Sequence, residues 1–254
     1  MVRVLQSRRM KILLISDIHG NYPALAALRE RYDMCICLGD LVDYGLQPGP
    51  CIDWVQANCR YTVRGNHDHS VAQRVTMHGN NGYRWLTMIT RPITLSRTTQ
   101  RQRAFLSGLP LSQYVTIGNT RYLFVHASPR DPLDEYAPAD VGFWEPRLHQ
   151  VEADIICIGH THHPFTLKVG RRTVINPGSI GQPRDGDPRA SCAVIEDGEI
   201  RLLRYEYPIE EMIADVDASP LPEEAKVMLR TVYRTAKLLP AQAMATAKPQ
   251  FEIG

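Results

Sequence analysis

Residues 12–21, with the sequence ILLISDIHGN, decide the fold of this chain. The apolar first half is typical of a strand that is buried on both faces, as in a parallel sheet. Side chains alternate along a strand, so Asp17 and His19 point to the same side where this strand ends. Open α/β sheets bind ligands beyond the carboxyl ends of their strands. The segment therefore predicts a sheet with a polar site at its carboxyl edge.

Four more strand-like runs end in polar groups of the same kind. They lead into Gly39-Asp40, Gly65-Asn66-His67-Asp68, Val125-His126 and Gly159-His160-Thr161-His162. The first forty residues are patterned as strand, helix and strand, the unit of a parallel sheet with a right-handed crossover. Residues 166–169, 172–175, 191–195 and 200–207 alternate around turn residues, which predicts an antiparallel meander. The pattern as a whole predicts an α/β domain.

Composition bounds the class of substrate. The chain has 254 residues, of which 44% are hydrophobic and 22% charged, as in a globular protein that buries a core. The net charge of +2, from 29 basic and 27 acidic residues, marks no polyanion-binding surface. A phosphate-containing substrate would therefore be held by a local site. We expect a small substrate, with a nucleotide among the candidates, rather than long nucleic acid.

Cysteine usage and the chain ends predict location and domain limits. The six cysteines include no Cys-x-x-Cys pair and several lie in apolar runs, so we expect reduced thiols in a cytoplasmic protein. The first ten residues lack the apolar segment of a signal peptide, and no run is long enough to span a bilayer. We expect an extension at residues 1–9, the main domain at 10–207 and a helical extension packed on it at 208–254. A homo-oligomer is compatible with the sequence.

The polar groups at the strand ends are typical of metal ligands. They comprise two aspartates, one asparagine and three or four histidines. Imidazoles mixed with carboxylate oxygens suit Mn, Fe or Zn. Seven ligands are too many for one tetrahedral ion but fit two ions that share a carboxylate, and two ions roughly 3.5–4 Å apart are the usual device for phosphoryl transfer. Asp40 is the expected bridge, since it lies between the first pair and Asn66 in chain order.

Five motifs in a fixed order resemble those of the calcineurin-like metallophosphoesterase superfamily, and within it the bacterial and archaeal predicted phosphodiesterase branch. They are Asp17-x-His19, Gly39-Asp40-x-x-Asp43, Gly65-Asn66-His67-Asp68, His126 and Gly159-His160-x-His162. The longer sequence segments at residues 17–21, 39–45 and 176–186 support that branch. The resemblance covers about residues 10–205. It implies a four-layer α/β/β/α sandwich of two mixed sheets flanked by helices, with the site at the carboxyl edge.

The resemblance also implies a role for each motif residue. Asp17, His19 and His162 would hold one ion, Asn66, His126 and His160 the other, and Asp40 would bridge them. A hydroxide between the ions would attack phosphorus. His67 would protonate the leaving oxygen, and Asp43 would hold its imidazolium. The expected enzyme is a metal-dependent phosphoesterase that cleaves a phosphodiester or a nucleotide-type phosphoanhydride.

Two further positions bear on how a phosphate group would be bound. The phosphoprotein phosphatase branch has an arginine where Tyr44 stands, so the fork that clamps phosphate is missing at this position. Arg184, in the glycine-rich loop 178–186, is the candidate replacement as a substrate contact. His78 and His149 lie in stretches with a helical pattern, and we expect neither to have a role in the site.

Three alternative functions are associated with sequence patterns that overlap with this one. A phosphomonoesterase, acting on a small molecule or on a protein, would have the same ligand set. A non-catalytic metal-binding interaction module is a remote alternative, because such a module would be expected to lack His67 or a ligand, and none is missing. The metallo-β-lactamase pattern His-x-His-x-Asp-His begins as in residues 160–162, but its Asp-His is absent.

Overall fold

The computed structural model describes residues 10–76, 78–79 and 82–238. The apolar run that opens this part of the chain forms β1, Lys11–Ile15, at the centre of a five-stranded sheet. Strand β2, Met34–Cys37, runs parallel to β1, and β3, Cys59–Thr62, runs parallel to β2. The other neighbour of β1 is β9, Ala190–Glu196, which is antiparallel to it and to β10, Glu199–Tyr205. The carboxyl ends of β1, β2 and β3 therefore meet at one edge.

A second five-stranded sheet has a parallel centre and antiparallel edges. Its strands are β4 (Ser112–Ile117), β5 (Thr120–Val125), β6 (Ile155–Cys157), β7 (Phe165–Val169) and β8 (Arg172–Asn176). Their order across the sheet is β4-β5-β6-β8-β7. Strands β5, β6 and β8 are parallel, while β4 and β7 pair antiparallel with their neighbours. Both sheets are mixed, as expected.

The predicted antiparallel meander is wrong as a single unit. Strands β7 and β8 form a hairpin in the second sheet, whereas β9 and β10 form a hairpin in the first. Residues 177–189 connect the two sheets. Alternation and turn residues determine the local hairpins, but they carry no information about which sheet a hairpin joins.

Eight helices lie within the described residues. They are α1 (Tyr22–Ala26), α2 (Pro48–Asn58), α3 (Asn66–Ala72), α4 (Gly82–Ser96), α5 (Gln100–Gly108), α6 (Val141–Leu148), α7 (Ile209–Asp217) and α8 (Glu223–Thr235). Helices α1, α2, α3 and α5 cover the outer face of the first sheet, because their apolar residues share one buried cluster with β1 and β2. Helix α6 covers the outer face of the second sheet through Trp144 and Leu148.

The alternation of side chains along β1 creates two of the packed layers. Ile12 and Leu14 face the second sheet and share a buried cluster with Phe124 of β5. Leu13 and Ile15 point the other way, towards the helices. The result is helices, sheet, sheet and helices in four layers. This confirms the predicted fold class.

Helices α7 and α8 pack against α4 and the loop that follows β2. Met212 of α7 and Leu229 of α8 share a buried cluster with Leu86 of α4 and with Tyr44. The predicted extension at residues 1–9 and the end of the chain from 239 lie outside the described residues, and the division at residue 207 stays a prediction. No described helix is both long enough and apolar enough to cross a lipid bilayer.

Candidate metal centre

The loops that follow five parallel strands bring the seven predicted ligands together. Strands β1, β2 and β3 of the first sheet and β5 and β6 of the second end at the same side of the molecule. The segments after these strands carry Asp17, His19, Asp40, Asn66, His126, His160 and His162, of which Asn66 is the first residue of α3. All of them are buried except Asn66 and His160, which are partly exposed. The described residues contain three groups whose ligand atoms lie within 4.8 Å of one another, and six of the seven predicted ligands belong to them.

The first group contains Asp17, His19 and His162. The Nε2 atoms of the two histidines are 3.2 Å apart. Asp17 Oδ1 lies 3.3 Å from His162 Nε2 and 3.9 Å from His19 Nε2. The other oxygen, Oδ2, accepts the His160 backbone N–H, but the buried Oδ1 has no hydrogen-bond partner among the described residues. A buried carboxylate oxygen without a donor that faces two imidazole nitrogens fits a cation site.

The second group contains Asp40, His126 and His160. His126 Nε2 lies 3.2 Å from Asp40 Oδ2 and 3.2 Å from Asn66 Oδ1. The side-chain oxygen of Asn66 therefore lies next to this group. Asp40 Oδ2 is also 3.7 Å from His19 Nε2, a member of the first group. Asp40 is therefore the carboxylate that faces both groups.

Backbone carbonyls fix the orientation of three of these histidines. The Nδ1 atoms of His19 and His126 lie 2.9 and 2.7 Å from the carbonyls of Val42 and Leu38. His162 Nδ1 is 2.5 Å from the Gln182 carbonyl. Because a carbonyl can only accept, each Nδ1 carries the proton and donates it. Nε2 is then the atom left for a metal ion.

The charge of the ligands follows from burial and from their neighbours. Burial lowers the pKa of His19 well below its usual value and that of His160 to about 3, so both rings are neutral at pH 7, as ligands must be. Burial alone would raise the pKa of Asp40, but its histidine neighbours lower it well below the usual range. Burial would also lower the pKa of His126, but Asp40 raises it to about 10, so an ion would have to displace a proton from this ring.

Six site residues have the left-handed backbone conformation that favours glycine. Their φ angles are 54° at Asp17, 47° at His19, 58° at Asp40, 68° at Asp43, 65° at His160 and 60° at His162. This conformation costs a non-glycine residue roughly 1–2 kcal/mol. Such strain persists only where the surrounding structure imposes it, and it clusters at functional sites.

Two glycines make room for the carboxylates. A Cβ on Gly65 would lie 2.0 Å from Asp40 Oδ1, and one on Gly159 would lie 2.7 Å from Asp17 Oδ2. Asp68 also fixes this region, because its Oδ2 accepts the N–H groups of Asp40 at 2.8 Å and Gly65 at 3.0 Å. The glycines of the strand-end motifs are therefore needed for close approach to the site.

The third group contains His19, Asp40 and His67, and His67 also pairs with Asp43, as predicted. Its Nδ1 is 2.7 Å from Asp43 Oδ2, and its Nε2 lies 4.0 Å from Asp40 Oδ2. Burial would raise the pKa of Asp43, but hydrogen bonds from His67 and the Arg91 guanidinium lower it below its usual value. Asp43 is therefore an ionised acceptor for the imidazole.

Arg91 is a site residue that the sequence analysis missed. It donates from Nε to Asp43 Oδ1 at 2.8 Å and from Nη2 to Oδ2 at 2.5 Å, and it is buried. The available signal was a stripe of buried polar residues on α4, because Thr87, Arg91 and Thr94 have the i, i+4, i+7 spacing of one helix face. A charged residue in such a stripe needs a buried partner.

A pocket of about 430 Å³ opens on the metal groups and on His67. Arg184 lines it, and its Nη2 donates to Gln182 Oε1 at 2.9 Å. The guanidinium carbon lies 3.7 Å from the ring centre of Tyr83 and 5.8 Å from that of Tyr44. Arg184, the predicted substrate contact, thus lies beside Tyr44, the position at which the phosphoprotein phosphatases have an arginine.

The prediction that His78 lies in a helical stretch is wrong. His78 does not belong to a helix but lies in the connection between α3 and α4, and it lines the pocket. The wall beside it comes from Tyr83, Arg84 and Thr87 of α4. Polar residues of this segment have no motif that would have linked them to the site. His149 follows α6 and does not line this pocket.

Comparison with known proteins identifies related sequences. Residues 10–198 match the family described as the calcineurin-like phosphoesterase superfamily domain. An uncharacterised protein of Methanocaldococcus jannaschii is 31% identical over 84% of this chain and 94% of its own length. Phosphodiesterase YfcE of Escherichia coli is 24% identical over 83% of this chain and its full length. A crystal structure of a metallophosphoesterase from Sphaerobacter thermophilus has a TM-score of 0.74 at 30% identity, and the match covers 87% of this chain and 98% of that one.

Proposed function

Because this chain belongs to the calcineurin-like phosphoesterase superfamily and is therefore a metal-dependent phosphoric ester hydrolase, we propose that it cleaves a phosphodiester or a nucleotide-type phosphoanhydride at a two-metal site. One observation carries this proposal. Asp40 faces two groups of ligand atoms at the floor of a pocket that also exposes His67. Two adjacent cation sites with an acid beside them are the arrangement that phosphoryl transfer needs.

The donor set fits two ions such as Mn, Fe or Zn. Asp17, His19 and His162 would hold one ion, Asn66, His126 and His160 the second, and Asp40 would bridge them. Two features support this assignment. Asp17 Oδ1 has no hydrogen-bond partner among the described residues, and the carbonyl contacts of three histidines are made by Nδ1, so that Nε2 faces the other ligands. When bound, two such ions lower the pKa of water and neutralise charge that develops on phosphoryl oxygens.

His67 would act as the general acid for the leaving oxygen. Asp43 accepts the Nδ1 proton and holds the ring so that Nε2 faces the pocket. A proton on Nε2 can then pass to the oxygen that leaves phosphorus. Arg91, which donates to both oxygens of Asp43, would keep this pair in place.

Arg184 would bind a phosphoryl oxygen of the substrate. Its guanidinium forms no ion pair with another described residue, and stacking on Tyr83 together with the bond to Gln182 holds it at the pocket wall. A fixed guanidinium is suited to a phosphate group. The aromatic ring of Tyr44, 5.1 Å from the His67 ring, adds no charge there. This favours the singly charged diester over the dianionic monoester, so a phosphomonoesterase is the second candidate.

The substrate is proposed to be small, with nucleotides among the candidates, and the pocket volume supports this. The six free cysteines support a reducing compartment such as the cytoplasm.

Hydrolysis of bis-p-nitrophenyl phosphate and p-nitrophenyl phosphate tests the proposal. The protein is stripped of metal and then supplied with manganese, and kcat/KM is compared for the two esters. We expect activity that depends on manganese and a preference for the diester. A preference for the monoester would select the second candidate. Absence of turnover on both esters with two ions bound would contradict catalysis by this site on simple esters.

A further inference from the structure

The wall of the pocket formed by α4 and the connection before it carries nitrogen groups that the reaction proposed above does not use. Arg84 of α4 and His78 of the preceding connection both line the pocket and are exposed. Neither side chain forms a hydrogen bond or an ion pair with another described residue. Arg184, also in this pocket, has no ion pair, and its buried Nε atom has no partner within the described chain.

The charges of the pocket are unequally distributed. Outside the metal groups, Asp134 is the one carboxylate among its described lining residues, whereas Arg84 and Arg184 are two guanidinium groups. Asp40 would be neutralised by the ions. A concave site with uncompensated positive charge attracts an anion and holds it with charge-assisted hydrogen bonds. The pocket therefore has more capacity for negative charge than one reacting phosphoryl group requires.

The size of the pocket leads to the same conclusion. At about 430 Å³ it lies in the range of complete small-molecule sites. A reacting phosphoryl group at the metal ligands and Arg184 would leave the wall with Arg84 and His78 in contact with another part of the substrate.

We infer that Arg84 and His78 form a subsite for a second phosphoryl group, so that the substrate carries at least one phosphate beyond the phosphorus that reacts. This inference rests on the proposed function for the position of the reacting group. It includes two arrangements that share this chemistry: contiguous phosphates, as in a phosphoanhydride, and two phosphates on separate carbons of one small molecule. Arg84 is then a specificity-determining residue.

Binding of non-hydrolysable phosphonates tests the inference. The dissociation constants of methylphosphonate, methylenediphosphonate and 1,3-propylenediphosphonate are measured by isothermal titration calorimetry on manganese-loaded protein at a fixed free manganese concentration. We expect at least one diphosphonate to bind about tenfold or more tightly than methylphosphonate. The methylene compound reports on contiguous phosphates and the propylene compound on separated ones.

The variant Arg84→Gln identifies the group responsible. We expect it to remove most of the advantage of the diphosphonate over methylphosphonate. Arg31→Gln is the matched control, because Arg31 is exposed and precedes β2, at the edge of the sheet opposite the site. Asp134→Asn removes the opposing charge, so it should preserve or increase the advantage.

Two results would overturn the inference: equal affinity of the wild type for the mono- and diphosphonates, or an advantage that Arg84→Gln leaves intact. Neither depends on turnover. Hydrolysis of bis-p-nitrophenyl phosphate by the same samples separately tests the proposed function, so the two proposals can fail independently.

Discussion

His67 is the single residue that separates acid chemistry from metal binding, because it lines the pocket, pairs with Asp43 and also lies within reach of His19 and Asp40. His67→Ala should lower kcat roughly 10²–10⁴-fold, since it removes the proposed acid for the leaving oxygen. The metal content should stay near that of the wild type, because the seven proposed ligands remain and the ring of His67 is oriented by Asp43. Kinetics together with elemental analysis of the purified variant measure both quantities.

Asp40→Ala provides the contrast for His67→Ala. It removes the carboxylate that faces both groups of ligands, so at least one ion should be lost. Two ions retained by this variant would exclude the bridging role of Asp40. Loss of metal from His67→Ala would show that His67 is a ligand rather than the acid.

Gly65→Ala tests the space beside Asp40. The backbone of Gly65, at φ −82°, is accessible to alanine, so the substitution acts only through the added Cβ, which would lie 2.0 Å from Asp40 Oδ1. We expect a lower metal content and a loss of activity. Gly108→Ala is the control, because a Cβ there meets no atom within 4 Å. A metal content equal to that of the control would show that the loop adapts without moving the carboxylate.

Helix α4 connects the site to the core at the scale of an element. Arg91→Met removes the guanidinium that pairs with the buried Asp43 and leaves the hydrogen bond from His67, so the free energy of unfolding should fall by about 3–5 kcal/mol. Activity should fall as well, because Asp43 orients His67. Chemical denaturation measures the first effect. The exposed Arg101→Met on α5 should change stability by less than about 0.5 kcal/mol, and an equally small effect of Arg91→Met would contradict the importance of this fork.

The connection between β5 and α6 is held by a carboxylate with a low pKa. A hydrogen-bonded ion pair with Arg147 lowers the pKa of Glu135 to about 2, and Ser128 and Arg130 add to the effect. A depressed pKa stabilises the fold above the pKa of the unfolded chain, near 4.5, and this contribution is lost as the pH falls towards 2. Glu135→Gln should therefore reduce the free energy of unfolding by about 1–3 kcal/mol at pH 7, and by progressively less below pH 4.5.

Denaturation curves of wild type and Glu135→Gln at pH 7, 5, 4 and 3 measure this dependence. Glu145→Gln on the exposed side of α6 is the control, since Glu145 has no ion pair with a described residue. A stability difference for Glu135→Gln that stays constant with pH would exclude the ionic contribution.

The sequence predicts those elements whose signals are local. The glycine, aspartate and histidine motifs follow apolar strands directly, so the candidate ligands at five strand ends could be recognised from the sequence, while the four-layer fold class followed from the resemblance of these motifs to a known superfamily. Arg91 and Arg84 lie on α4, where no motif marks them, and their meeting with Asp43 and the pocket depends on how α4 packs. The same limit explains the hairpin β9–β10, whose sheet is chosen by tertiary packing rather than by its own pattern.

At the scale of the whole molecule, the metal groups join both sheets. Asp17 and Asp40 follow strands of the first sheet, while His126 and His162 follow strands of the second. Ions bound between them should stabilise the folded protein by RT ln(1 + [L]/Kd), about 2.7 kcal/mol per site at one hundred times Kd. Adding manganese to metal-stripped protein should therefore raise Tm, and EDTA should reverse the shift. The shift should be smaller in Asp40→Ala, and an equal shift would mean that manganese binds elsewhere.

The left-handed backbone at six site residues has a consequence for how this protein can change over generations. Asp17, His19, Asp40, Asp43, His160 and His162 each hold a conformation that glycine adopts at lower cost. Selection for chemistry and selection for stability therefore act in opposite directions at these positions. A lineage that no longer needed the reaction could gain stability by replacing His19, His160 or His162 with glycine, whereas Asp43 would be retained as the partner of the buried Arg91. Such replacements in a descendant would mark the loss of catalysis while the sandwich itself persisted.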